Sequence, residues 1–333
     1  LPILGIGLNT DRGLSARAAW KHARLGPRAS LFSAELTATY KGRDFNTEEG
    51  RLETSWYLLE APSRFFLKPV FTFQHKSDNR LDILQGSLQV SPSITWDTIG
   101  VGGAASLGPA LTAEFKIRGE GRPESYFLSL LGENRLTSHD FELHRGAPRS
   151  GFEWLTTMSF SQQGWLANFS SGLVRTRYTH LFPLPQTGKR HAVLGFRVGV
   201  ATTLVRQNEG GLTLLTPGLR HYLGGTANLR GFSFQELPDA EGGLTAVFAS
   251  VEARAVGILP WGIQPLAFID VGTLSKSSFS MNAPAFYSPG MGIRWQSPIG
   301  NFRGTLAHGY GFFRPAHDPL SHWQFHLSLG EEF

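Results

Sequence analysis

An all-β fold, a 16-stranded antiparallel transmembrane β-barrel, is what this sequence predicts, and three observations carry the prediction. Side-chain character alternates with a period of two through segment after segment. Each runs for about ten residues and ends in a turn or loop, as in a sheet with one lipid-facing and one water-facing side. The 39 glycines, 25 Phe, eight Trp and seven Tyr suit many turns and an outer surface banded with amphipathic rings, while helical stripes are absent. No run of 18 or more predominantly apolar residues occurs. The best candidate, 255–269, is 15 long and broken by two prolines, so a helical span is not supported.

Taken in order, strands are expected at 3–9, 14–22, 30–40, 51–60, 65–75, 82–94 and 98–108, once within 110–138, and at 152–160, 164–178, 191–205, 243–256, 261–274, 286–297, 301–311 and 322–333. The stretch "GPALTAEFKIRGEGRPESYFLSLL" supplies one strand or two, so the count is least certain across 98–138. An even total is expected, because it returns both termini to one side. Alternation is clearest in "HWQFHLSLGEEF", where Trp323, Phe325, Leu327 and Leu329 share one face and His322, Gln324, His326, Ser328 and Gly330 the other. In "TAVFASVEARAV", Val247, Ala249, Val251 and Ala253 alternate with Phe248, Ser250, Glu252 and Arg254. In "GMGIRWQS", Met291, Ile293 and Trp295 alternate with Gly290, Gly292, Arg294 and Gln296. A soluble two-layer sandwich would alternate too. The number of segments within one domain, the aromatics near strand ends and the final Phe333 favour the barrel.

The formal charge of +5 arises from 31 basic and 26 acidic residues scattered along the chain, which gives nucleic-acid binding little support. With no cysteine, disulfides and thiolate chemistry are excluded. The start, "LPILGIGLNT", lacks the pattern of a secretion signal. No composition shift divides residues 1–333, so one domain is expected. Enzyme constellations are missing: there is no G-x-S-x-G elbow, H-E-x-x-H pair or Walker loop, and "GVGGAA" at 100–105 is followed by no helical pattern. A lipase site is not excluded by counting, since serines and histidines are present. His322 and His326 would lie about 13 Å apart on a strand, too far to share one metal ion. No catalytic residue, metal or cofactor is assigned.

The longest segment without strand alternation, about 211–242, contains "LGGTANLRGFSFQEL" at 223–237. Leu223, Leu229, Phe232 and Phe234 are apolar anchors there, and Gly224, Gly225 and Gly231 permit tight turns, so the segment reads as ordered and functional. "LRGF" at 229–232 after the glycine pair, "ASVEAR" at 249–254, "FIDVG" at 268–272 and "GMGIRWQSPIGNFRGTLA" at 290–307 follow one another in a telling order. The ending "FHLSLGEEF" and the opening "GIGLNTDRGLSARAAWKH" complete the set. Together they resemble the BamA/TamA superfamily of outer-membrane barrels, most of all TamA, over the whole barrel.

That resemblance implies a sixth extracellular loop folded back into the barrel. Its motif would be Gly224, Gly225, Leu229, Arg230, Gly231 and Phe232, with Arg230 meeting Glu252 and Asp270 on inner strand faces. The alternation independently puts both acids on the water-facing side, and a guanidinium fork suits carboxylates. A solvated loop arginine is the plainer alternative, worth about 0–1 kcal/mol in a surface pair. Gly5 and Gly7 in the first strand and Gly330 in the last would weaken the seam where the barrel closes, or merely relieve crowding. Ser328, Gly330 and Phe333 form the expected C-terminal signal.

The function implied is assistance to insertion, assembly or translocation of proteins in the bacterial outer membrane through that seam. The partners would be outer-membrane lipids and unfolded client proteins. The superfamily's periplasmic POTRA domains have no counterpart within the chain, which leaves periplasmic partners open. Two alternatives stand beside this: a secretion or diffusion pore of the two-partner-secretion type, and a membrane anchor for an N-terminal, patatin-like domain.

Overall fold

The computed structural model describes residues 2–11, 13–25, 30–42, 45–58, 64–78, 82–119, 123–143, 148–185, 191–205, 215, 217–237, 242–297, 300–311 and 322–329. Sixteen antiparallel strands neighbour one another in sequence order and close into a barrel, with β1 returning to β16. They are β1 (Pro2–Asn9), β2 (Gly13–Leu25), β3 (Ser30–Tyr40), β4 (Phe45–Tyr57), β5 (Phe65–Asp78), β6 (Asp82–Thr98), β7 (Val101–Arg118) and β8 (Glu124–Ser138), followed by β9 (Gly151–Ser161), β10 (Ser171–Pro183), β11 (His191–Val205), β12 (Thr245–Val256), β13 (Ile263–Ser275), β14 (Ala285–Ser297), β15 (Gly300–Gly311) and β16 (His322–Leu329). Among the described residues a short α-helix, His139–Leu143, follows β8.

Residues 98–138 hold two strands, β7 and β8, so the expected total stands while the boundaries move. Two other starts move as well. β4 begins at Phe45 instead of 51, because "FNTEEG" pairs with β5 although its acids and glycine hide the alternation. β10 begins at Ser171 instead of 164. Trp165 and Leu166 look like strand residues but occupy a hairpin tip, where the Trp165 N–H donates to the Gln162 carbonyl at 3.1 Å and Leu166 has a φ of 51°.

The two faces of the sheet differ as the alternation requires. Outward positions such as Leu4, Ile6, Met291, Ile293, Trp323 and Phe325 are exposed, while Asn9, Ser250, Glu252, Arg254, Asp270, Arg294, His326 and Ser328 are buried on the other face. Exposed apolar side chains of this number suit lipid, where closure of the sheet also pairs backbone groups that no water could satisfy. The largest buried apolar cluster joins wall to loop: Leu223, Leu229, Phe232 and Leu237 from the β11–β12 connection pack on Ala246, Leu274 and Phe286.

Among the described residues the ladders differ in length. β7 and β8 register at fifteen residue pairs, and β1–β2 and β15–β16 at eight each. Among the described residues, β1 and β16 register at a single pair, Asn9 with Ser328.

Candidate functional site

The β11–β12 connection folds on itself before it touches the wall. Bridges join His221 to Gly243 and Leu223 to Leu237. The Gly224 N–H donates to Asn228 Oδ1 at 2.7 Å, and the Gly225 N–H to the carbonyls of Phe232 at 2.8 Å and Leu229 at 3.1 Å. Gly224 and Gly225 have φ of 116° and 95°, values that a side chain would strain. Gly231 is small for a different reason: a Cβ there would come within 2.6 Å of the Gly309 backbone nitrogen on β15.

Four apolar side chains then anchor the turn. Leu223, Leu229, Phe232 and Leu237 are each at most 1% exposed, and the Phe232 ring meets Phe286 edge-on at 5.7 Å. Burial on this scale contributes about 1.5–3 kcal/mol per side chain. Upstream, Arg175 Nη2 donates to the Gly218 carbonyl at 2.6 Å and Thr203 Oγ1 to the Leu219 carbonyl at 2.7 Å. The connection therefore makes contacts from β10 round to β15, all through side chains or backbone of the buried face.

At its centre lies Arg230, 1% exposed. Nε and Nη2 donate to the two oxygens of Asp270 at 2.8 and 2.6 Å, a bidentate fork, and the Arg230 backbone N–H adds a third bond to Oδ2 at 3.1 Å. Nη1 donates to Glu252 Oε2 at 2.6 Å, and Nη2 also reaches Ser250 Oγ at 3.0 Å. The guanidinium carbon stands 3.3 Å from the centre of the Phe268 ring. Glu252 is shared, since Arg254 Nε donates to its other oxygen at 2.9 Å and Arg303 bonds Oε2. Burial by itself would lower the Arg230 pKa, but Asp270 first and Glu252 next raise it above its ordinary value. Removing one member of such a buried set leaves a charge uncompensated, at a cost of about 3–5 kcal/mol.

Next to this cluster the barrel closes. The Thr10 N–H donates to the Leu327 carbonyl at 3.0 Å and the Leu327 N–H to Thr10 Oγ1 at 3.1 Å. Asp11, in the β1–β2 turn, takes the Thr226 N–H on Oδ2 at 2.7 Å and faces His326 Nδ1 with Oδ1 at 2.8 Å. His326 Nε2 lies 2.7 Å from the Arg230 carbonyl oxygen. Burial alone would raise the Asp11 carboxyl, but the hydrogen bond and charge of His326, followed by Thr226, hold it below the usual carboxylate range.

The Omp85 superfamily domain matches residues 142–333, well over half of the chain. The chain belongs to the Omp85 superfamily. The matched part of this Omp85 barrel includes Arg230, Glu252, Asp270 and His326. Among solved structures it is similar to BamA from Haemophilus ducreyi lacking POTRA domains 1-3, with a TM-score of 0.73 at 15% identity, covering 98% of this chain and 69% of that one. CdiB from Acinetobacter baumannii matches with a TM-score of 0.61 at 11% identity over 98% of this chain, and CdiB from Escherichia coli with 0.59 at 11% over 97%. The chain spans 58% and 62% of those two CdiB chains. At these identities the likeness is one of fold. Comparison with curated protein sequences finds no match.

Of the residues singled out in the sequence, Arg230, Glu252 and Asp270 stand together, with Leu229, Phe232 and the three glycines shaping the turn that carries the arginine. Gly5 and Gly7 lie in β1 and Ser328 in β16, whereas Gly330 and Phe333 lie outside the described residues. Sequence reasoning missed Asp11, Ser250, Phe268, Arg254, Arg303 and Gly309 as parts of the site, and read His326 only as wall lining. Phe268 stands inside the "FIDVG" motif, which is the one available signal. Asp11 had none, being 215 positions from Thr226.

Proposed function

We propose that this Omp85 barrel works in the bacterial outer membrane, where it assists the insertion, assembly or translocation of client proteins by parting β1 from β16. The observation that carries the reading is the make-up of the seam: the backbone bonds between Thr10 and Leu327 stand beside buried contacts through which the β11–β12 connection reaches both edges, Thr226 to Asp11 and Arg230 to His326. A strand edge freed by parting accepts another strand, which is how a client would be received.

In this reading the β11–β12 connection occupies the lumen, fastened by Arg230 to Asp270 and Glu252, and the barrel is not an open pore. A secretion or diffusion channel needs a free lumen, and the connection's contacts from β10 to β15 argue against one.

The test is to seal the seam. Asn9→Cys and Ser328→Cys sit at Cα partner positions, and the chain has no other cysteine. Antiparallel partners stand about 4.5–5.5 Å apart, within disulfide range. Oxidised barrels in liposomes should fail to accelerate folding of an unfolded outer-membrane barrel, and reduction should restore the rate. Equal acceleration by the oxidised form would overturn the proposal.

A further inference from the structure

We propose that the 224–232 turn, His326 and Asp11 form a single clasp across the seam, so that releasing the loop and parting β1 from β16 are one event. This rests on the seam reading above and names what regulates that seam. Two bonds between Thr10 and Leu327 join the seam beside the turn. Buried side chains join it there as well. Asp11 lies on the β1 side, His326 on β16, and the turn meets both: Thr226 N–H to Asp11 Oδ2 at 2.7 Å, and the Arg230 carbonyl to His326 Nε2 at 2.7 Å. The circuit closes at 2.8 Å between His326 Nδ1 and Asp11 Oδ1, so each of the three bodies touches the other two.

The Asp11 backbone is held as well, its N–H donating to Asn9 Oδ1 at 2.7 Å and its carbonyl accepting from Lys41 Nζ at 3.1 Å. Gly225 belongs to the same arrangement, since a Cβ there would stand 2.8 Å from Asp11 Oδ2. Removing any one contact therefore loosens both the turn and the seam.

The experiment uses the full chain in lipid nanodiscs, with nitroxide labels on Leu8→Cys and Phe325→Cys, outward positions on either side of the seam. Electron–electron distances are recorded with the clasp intact and in Asp11→Asn, His326→Gln and Gly225→Ala. Hydrogen exchange of 223–237 is followed in the same samples. One short distance is expected with the clasp intact; each variant should show a longer population grown several-fold, with loop exchange rising beside it. Folded variants with an unchanged distance, or a loop that exchanges faster while the seam distance stays fixed, would overturn the proposal. Should Asp11→Asn or His326→Gln fail to fold, Gly225→Ala decides, since its methyl group would press on Asp11 Oδ2: an unchanged seam distance there overturns it. The seam disulfide test is separate, because a seam without this clasp could still pass clients.

Discussion

Replacing Arg230 by alanine removes the fork to Asp270, the bond to Glu252 and the charge over Phe268, and keeps the apolar anchors Leu223, Leu229, Phe232 and Leu237 in place. Asp270 is left buried with the Ser250 hydroxyl and the backbone N–H of residue 230, which is the uncompensated charge that costs about 3–5 kcal/mol. At about 1.4 kcal/mol per factor of ten, the released state of the loop gains roughly a hundredfold to a few thousandfold in population. Amide exchange measures that population. Exchange across 223–237 should accelerate by that factor while the wall strands β4 to β8 keep their protection. Arg230→Lys should recover part of the protection, since an ammonium presents no planar fork. Unchanged protection of the loop in Arg230→Ala would refute the argument that this cation holds the segment.

Asp270→Asn and Glu252→Gln should differ in kind. Asp270 bonds Arg230 and Ser250, so its loss should raise loop exchange and leave the thermal unfolding of the barrel nearly unchanged. Glu252 serves Arg230, Arg254 and Arg303, so its loss should also lower the unfolding temperature, followed by the heat-dependent shift in gel mobility. Gly231→Ala forces a methyl group onto the Gly309 backbone, an overpacking of about 1–3 kcal/mol that faster loop exchange would reveal. At the other end of the connection, His221 is buried beside Thr203 Oγ1, and burial first and Arg175 next push its imidazole down to about 4. Its folded pKa is depressed, so the neutral ring's contribution is complete above 6.5 and is lost as the pH falls from 6.5 toward 4. Loop exchange, corrected for its intrinsic pH dependence, should rise in that window, and His221→Gln should flatten the rise.

Much of the barrel was legible because a strand in a two-faced sheet writes itself into the sequence one residue at a time. In β16, Trp323 and Phe325 alternate with Gln324 and His326, and in β12, Val251 with Glu252, with no need of distant information. The rule failed where local chemistry imitated or masked it. The Trp165–Leu166 hairpin tip carries apolar residues in a turn, and the acids of β4 stand in a strand. The arginine and its two acids were reachable through ordered motifs. Asp11 and His326 were not, because their meeting depends on closure of the barrel, which brings the β1–β2 turn against a strand near the other end of the chain.

Single-barrel conductance in planar bilayers tests the occupied lumen most directly. The unaltered protein should pass small, irregular currents that grow when Arg230 is replaced by alanine. Large, steady currents from the unaltered protein would contradict it.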